Sequence, residues 1–264
     1  MKVSKDRLFV IKIGGNVIDS DGELSSFLQS FAAIQSPKIL VHGGGKLATK
    51  LAAQLGIKQQ MIDGRRVTDL ETLKIVTMVY AGYINKNMVA QLQANGCNAV
   101  GLSGADGKAI TAHKRMHPTI DYGFVGDIDA VNTRFIQNLL QQNIAVVQSP
   151  ITVDAGGQLL NTNADTIASA LAVALSPYYE VRLLYCFEKK GVLENVADEN
   201  SVIRNINREK YQQLLSEKKL FEGIIPKLDN AFAAIAAGVK EVLIGDAKDL
   251  PKNVTDEKVG TLIN

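Results

Sequence analysis

The chain has 264 residues, a hydrophobic fraction of 46% and a formal net charge of +2. That length allows one large α/β domain or two lobes, and so mild a charge excludes a nucleic-acid footprint. No segment approaches the length of a membrane span, and the apolar run in MKVSKDRLFVIKIGG is too short for the core of a signal peptide.

Short apolar runs predict strands at Leu8–Ile13, Lys38–His42, Asn98–Ser103, Ile144–Gln148, Val181–Phe187 and Glu241–Gly245, with helical periodicity between them. The two cysteines, Cys97 and Cys186, fall in or beside such runs and read as reduced core residues of a cytoplasmic protein. The clearest helix runs from Thr68 to Asn95. Thr68 and Glu71 form a capping-box pattern, and Gly96 is placed to stop the helix. Leu73, Val76, Val79, Tyr80, Tyr83 and Ile84 give it one wide apolar face, suited to core packing or to a subunit interface. Between Lys108 and Asp129 the pattern changes to extended segments and turns, a hairpin-type excursion. ALSPYYE marks a lobe boundary near Ser176–Pro177. The alternation of strands and helices implies an α/β fold with a mainly parallel sheet covered on both faces.

Ligands of such sheets bind beyond the carboxyl ends of the strands. Glycines stand there three times, in IKIGGN, VHGGGK and GLSGADG, where backbone must meet ligand closely. A P-loop is excluded, because Leu47 follows Gly45–Lys46 and Leu40 occupies the place of the first glycine. A dinucleotide fingerprint fits Gly43, Gly45 and Ala48 with Asp63 further on, but it would sit on the second strand while an equal loop ends the first. A close strand-to-helix turn fits as well.

Lys12 lies between two isoleucines at the end of the first strand, where it is either a snorkelling lysine or a ligand for an anion held by Gly14 and Gly15. In GIIPKLDN, Pro226 suits the first helical position and Lys227 falls in the first turn. A cation there opposes the helix dipole, unless the helix start and the lysine together grip a phosphate. In LNTNAD, Asn163 is a natural N-cap and Asp165 an acid in the first turn. That pattern is structural capping, or else a carboxylate orienting two lysines. Arg65 and Arg66 are either solvated or one of them clamps a carboxylate. His113 and His117 are spaced four apart, but Pro118 spoils a helical metal site, and no metal ligands are assigned. His42 reads as structural rather than as a general base.

Taken in order, IKIGGN, VHGGGK, DGRRVT, AVGLSGADG, GFVGDIDAVN, VVQSPI, LNTNAD, GIIPKLDNAFAAIAAGV and the terminal GTLI resemble the amino-acid kinase family over nearly the whole chain. Within it, they resemble the branch that phosphorylates the γ-carboxylate of N-acetyl-L-glutamate, or of a close N-acyl-L-glutamate such as N-succinyl, in arginine biosynthesis. The resemblance implies a single kinase domain over 1–264, an αβα sandwich around a mainly parallel sheet in two lobes. Residues 1–176 would hold the acylated amino acid and 177–264 ATP, with Mg2+ bridging the nucleotide phosphates. It also implies roles. Lys12 and Lys227 stabilise the transferring phosphoryl group and Asp165 organises them. Gly44 and Gly45 contact substrate, with Gly14, Gly15 and Gly43 shaping the phosphate crevice. Arg66, Asn161 and Asn163 hold the substrate, and Glu188, Gly191, Val192, Leu193 and Phe221 border the nucleotide.

The sequence departs from the family after the fifth strand. It reads LLYCFEKKGVL where an aspartate usually stands at the place of Glu188. FEGI precedes Pro226 where the family carries more glycine, and Lys46 replaces a common proline. Arginine-inhibited members resemble one another in an extra N-terminal helix, and about seven residues precede the first strand here, so the likeness implies a homodimer without arginine feedback. Two alternatives keep the fold: a kinase of another acidic amino acid, and a non-catalytic metabolite sensor.

Overall fold

All six predicted strands form in the computed structural model, which describes residues 5–62, 65–195, 197–217, 219, 220 and 224–264 (backbone only at 65 and 226). In chain order the elements are β1 (Arg7–Ile13), α1 (Gly15–Ile18), α2 (Asp21–Ala32), β2 (Lys38–Val41), α3 (Gly45–Gln54), β3 (Gln60–Ile62), β4 (Arg65–Val67), α4 (Leu70–Val76), a π-helical stretch (Thr77–Ile84) and α5 (Asn85–Ala94). There follow β5 (Ala99–Leu102), β6 (Ile110–Lys114), β7 (Gly126–Val131), α6 (Thr133–Gln141), β8 (Ala145–Gln148), β9 (Ile151–Val153), β10 (Leu159–Asn161) and α7 (Ala164–Leu175). The chain ends with β11 (Glu180–Phe187), β12 (Asn205–Ile206), α8 (Arg208–Ser216), α9 (Ile225–Ala236), β13 (Glu241–Asp246), α10 (Leu250–Asn253) and β14 (Thr261–Ile263).

The chain divides into two compact units, one of residues 1–39 with 168–264, the other of residues 40–167. β1 groups with the C-terminal residues because it lies parallel to β11 in register over its whole length, from Arg7 opposite Glu180 to Ile13 opposite Cys186. In the first unit the strand order is β12-β14-β13-β11-β1. β11 and β13 are also parallel, and only the β13–β14 pair is antiparallel. β1 and β11 are buried almost throughout, as expected of parallel strands covered on both faces. α2 turns Leu24, Phe27, Leu28 and Phe31 inward at helical spacing.

In the second unit β5 and β8 are parallel neighbours, and the predicted excursion is the antiparallel pair of β6 and β7. It belongs to a four-stranded sheet, β10-β9-β6-β7, whose β9–β10 hairpin the sequence reading did not predict. Asp154 turns that hairpin by accepting from the backbone N–H groups of Gly156 and Gln158, both at 2.8 Å.

The predicted long helix is present with two corrections. Its N-cap is Asp69, whose side chain accepts from the Thr72 N–H at 2.7 Å, because Thr68 is already paired with Gly123 in a bridge. Within the π-helical stretch the turn widens beyond 3.6 residues, so the predicted face slips. Leu73, Val76, Val79, Tyr80 and Ile84 are buried, whereas Tyr83 is 66% and Met78 56% exposed. The C-terminal stop is as predicted. Gly96 has φ +72°, its N–H reaches the Gln93 carbonyl, and the Cys97 N–H reaches that of Leu92. Both cysteines are free and buried.

Candidate active site

In the second unit, β2 delivers the chain to His42 and the glycine run, and α3 begins at Gly45. His42 is fully buried. One ring nitrogen, Nδ1, lies 2.9 Å from the Gly43 carbonyl, and the other, Nε2, lies 3.1 Å from Nδ2 of Asn85. The Asn85 amide also donates to the Val147 carbonyl at 2.9 Å. Both Asn85 protons are thus used as donors, which leaves His42 neutral with its proton on Nδ1. Burial lowers its pKa to about 4, and the nearby Lys86 ammonium works in the same direction. A neutral ring used at both nitrogens is a strut for the glycine loop, in line with the structural reading of His42.

Gly44 is the position where the loop demands glycine. Its φ is +143°, and a Cβ there would run into Ile84 Cδ1 and stand 3.2 Å from the Tyr80 ring. Tyr80 and Ile84 both come from the π-helical stretch, which presses them onto the loop. Gly44, the N-cap of α3, offers no side-chain cap, so the first backbone N–H groups of the helix can face an anion. Beside it, Arg66 from β4 is 9% exposed. Its Nη2 donates to the Gly45 carbonyl at 3.1 Å and to Thr49 Oγ1 at 2.9 Å, and its Nη1 donates to Gln59 Oε1. Burial pushes the Tyr80 hydroxyl up, against the pull of the Arg66 guanidinium. On the opposite wall Asn161, from β10, donates to Thr68 Oγ1 at 3.0 Å. Asn163 caps α7 as predicted, its Oδ1 accepting from the N–H groups of Asp165 at 2.8 Å and Thr166 at 3.1 Å.

Gly43, Gly44, Gly45, Arg66, Asn161 and Asn163 therefore meet around one cavity of about 210 Å³. Met61, Tyr80, Val125, Pro150, Thr162 and Ala164 complete its wall, and the sequence reading assigned none of them to a site. Only Tyr80 carried a signal, as an aromatic on the apolar face of the helix that follows the arginine pair. Asp165 is half-buried in the first turn of α7, next to the lining residue Ala164.

In the first unit, Lys12 is the half-buried position near the end of β1. Gly14 is the N-cap of α1 and its N–H reaches the Cys186 carbonyl at 2.9 Å. A side chain at Gly15 would meet nothing within 4 Å. Burial pushes the Cys186 thiol up to about 12. The Asp246 carboxylate adds to this and the Lys12 ammonium opposes it. Pro226 and Lys227 both lie in the first turn of α9, with Pro226 one position later than predicted because Ile225 opens the helix. Lys227 Nζ stands 6.0 Å from the centre of the Tyr185 ring.

The residues predicted to border the nucleotide separate. Glu188 is exposed, accepts from Asn16 Nδ2 at 2.5 Å, and lines a cavity of about 360 Å³ with Val17, Phe27, Phe187, Asp246 and Lys248. Val192 and Leu193 are buried, with the Val192 N–H bonded to Thr261 Oγ1 at 2.8 Å. Gly191 is packed so closely that a Cβ would come within 2.6 Å of the same oxygen. Phe221, Asp63 and the side chain of Arg65 lie outside the described residues. His113 is engaged with Asp129 at 2.6 Å.

An α/β fold with a mainly parallel sheet, glycine loops beyond its strands and lysines at a strand end and a helix start define a phosphate-handling enzyme. Residues 7–246 match the model of the amino acid kinase family, and the chain belongs to that family. It is 54% identical over 257 residues to a protein of Cytophaga hutchinsonii named acetylglutamate kinase, covering 97% of each chain. It is 52% identical to one of the same name from Bacteroides fragilis, over 91% of this chain and 92% of that one. Among solved structures it is similar to smu.665 from Streptococcus mutans UA159, with a TM-score of 0.80, 30% identity and 98% of both chains covered. Among the described residues no helix is long and apolar enough to cross a membrane.

Proposed function

We propose that the chain transfers the γ-phosphoryl group of ATP to the γ-carboxylate of N-acetyl-L-glutamate, giving the acyl phosphate and ADP. The observation that carries this reading is the cavity in residues 40–167. It joins uncapped helix-start amides, one buried guanidinium and two asparagines within a partly apolar wall, a donor set matched to a small acid. Relatives named acetylglutamate kinase at 52–54% identity support the choice of acid.

The chemistry asks little of the protein in covalent terms. A γ-carboxylate is ionised near neutral pH, so it needs no general base. Its oxygen forms the new bond to the γ-phosphorus as the bond to the ADP oxygen breaks, and no proton moves. Catalysis is then positioning and charge stabilisation. Lys12 and Lys227 neutralise charge on the phosphoryl group, and Asp165 orients the lysines. Gly14 and Gly15 leave room for the nucleotide phosphates, and Glu188 borders the nucleotide. Magnesium travels with those phosphates as part of the substrate MgATP. Arg66, Asn161, Asn163 and the Gly43–Gly45 amides hold the acid. The exposed Met78 and Tyr83 support a homodimer through the helical run between Asp69 and Asn95. The two reduced cysteines suit the cytoplasm.

The test is ADP release from MgATP with N-acetyl-L-glutamate, N-succinyl-L-glutamate, L-glutamate and L-aspartate, with hydroxylamine trapping of the acyl phosphate. N-acetyl-L-glutamate should give the highest kcat/KM. Absence of turnover with both N-acylglutamates would overturn the reading. Light scattering after size exclusion tests the dimer, and Tyr83→Lys should shift it toward monomer.

A further inference from the structure

β11 reads EVRLLYCF, and its six central positions are buried. Aliphatic side chains are the ordinary filling of such a strand. Tyr185 breaks that pattern. It is 2% exposed and stands opposite Lys12 of β1 on one side and Ile244 of β13 on the other. Residues opposite each other on adjacent strands project to the same face, so Lys12 and Tyr185 leave the sheet together. Above that face, Lys227 Nζ stands 6.0 Å from the Tyr185 ring centre. An aromatic face carries partial negative charge and attracts an ammonium without neutralising it.

We propose that Tyr185 is a positioning residue for phosphoryl transfer, an aromatic platform that holds the Lys227 ammonium over the sheet face from which Lys12 projects. This rests on the reading of Lys12 and Lys227 given above. The ring opposes the tendency of the α9 dipole to drive a first-turn cation away. The role belongs to the ring face and not to the hydroxyl.

The experiment is steady-state kinetics with MgATP and N-acetyl-L-glutamate on the full chain. Tyr185→Leu should lower kcat about tenfold, the scale of a desolvated cation–π contact, with the KM for N-acetyl-L-glutamate changed less than about twofold. Tyr185→Phe should restore kcat to within about threefold of the parent. Combined with Lys227→Ala, Tyr185→Leu should add no further loss, because both changes remove one interaction. If the leucine variant does not fold, Tyr185→Met fills much of the volume without a ring and takes its place. A phenylalanine variant as slow as the leucine one would overturn the proposal, as would full additivity in the double variant. If Lys227→Ala itself keeps its kcat, it is the reading of Lys227 that fails.

Discussion

The two glycine loops differ in how much of their surroundings is already built. The Gly43–Gly45 loop is braced at three places: His42 and Asn85 hold its start, Tyr80 and Ile84 clamp Gly44, and Arg66 is bonded to the Gly45 carbonyl. The Gly14–Gly15 loop shows, among the described residues, backbone bonds from the Gly14 N–H to Cys186 and from the Asp19 N–H to Gly15, with open space at Gly15, and its neighbour Glu188 is bonded to the exposed Asn16. A region organised before its ligand arrives selects, because rigid donors lose little entropy on binding and reject a ligand of the wrong shape. A more open region suits a nucleotide, whose phosphates are the same in every ATP-dependent enzyme. Under the proposed function, selectivity falls to the Gly43–Gly45 side and charge stabilisation to the Gly14–Gly15 side.

The largest expected effect is on the open side. Lys12→Ala should lower kcat by about 10²–10³, the usual loss for one preorganised charge contact, while both KM values move by less than about threefold. A variant that keeps its kcat would remove Lys12 from the transition state. On the braced side Arg66→Lys should do the reverse. It keeps the charge and loses the planar fork that bonds Gly45, Thr49 and Gln59, so KM for the acid should rise about tenfold to a hundredfold with kcat little changed. Equal losses of kcat in both variants would erase the division of labour. Gly44→Ala should fall between. The positive φ and the displaced Ile84 should cost about 1–3 kcal/mol of stability and raise the same KM, read from urea midpoints and initial rates.

What the sequence made legible follows the same contrast. The strands, the stop at Gly96, the Asn163 cap and the glycine loops were readable because each is specified by neighbours in the chain. The β9–β10 hairpin was not, since its strands are only Ile151–Val153 and Leu159–Asn161, too short for any period to declare itself. Tyr83 was assigned inward because a 3.6-residue period cannot register a π-helical stretch. The cavity wall drew on Met61, Tyr80, Val125 and Pro150, which no spacing rule connects. Tyr185 looked like one more apolar residue of β11, because the lysine that gives it meaning comes from α9.

The brace itself titrates. His42 has a pKa near 4 in the fold and about 6.5 unfolded, so between those values the unfolded chain binds the extra proton. Its contribution is intact above about pH 6.5 and is lost as the pH falls toward 4, roughly 2 kcal/mol of it by pH 5. Urea midpoints at pH 7 and pH 5 should show that loss in the parent and a smaller one in His42→Gln, which has no proton to gain. An identical slope in the two proteins would mean that other groups carry the acid sensitivity.

The smallest effect should come from Asn16→Ala. The Asn16–Glu188 bond is 2.5 Å long but exposed, and water can replace either partner. Losing it frees Glu188 without opening a cavity or stranding a buried charge. The KM for ATP should change less than about threefold and the KM for N-acetyl-L-glutamate not at all, since an exposed hydrogen bond contributes about 1 kcal/mol or less. A tenfold change in the KM for ATP would show that the Gly14–Gly15 side is also set in place before its ligand arrives, and the contrast between the two loops would narrow to the packing around Gly44.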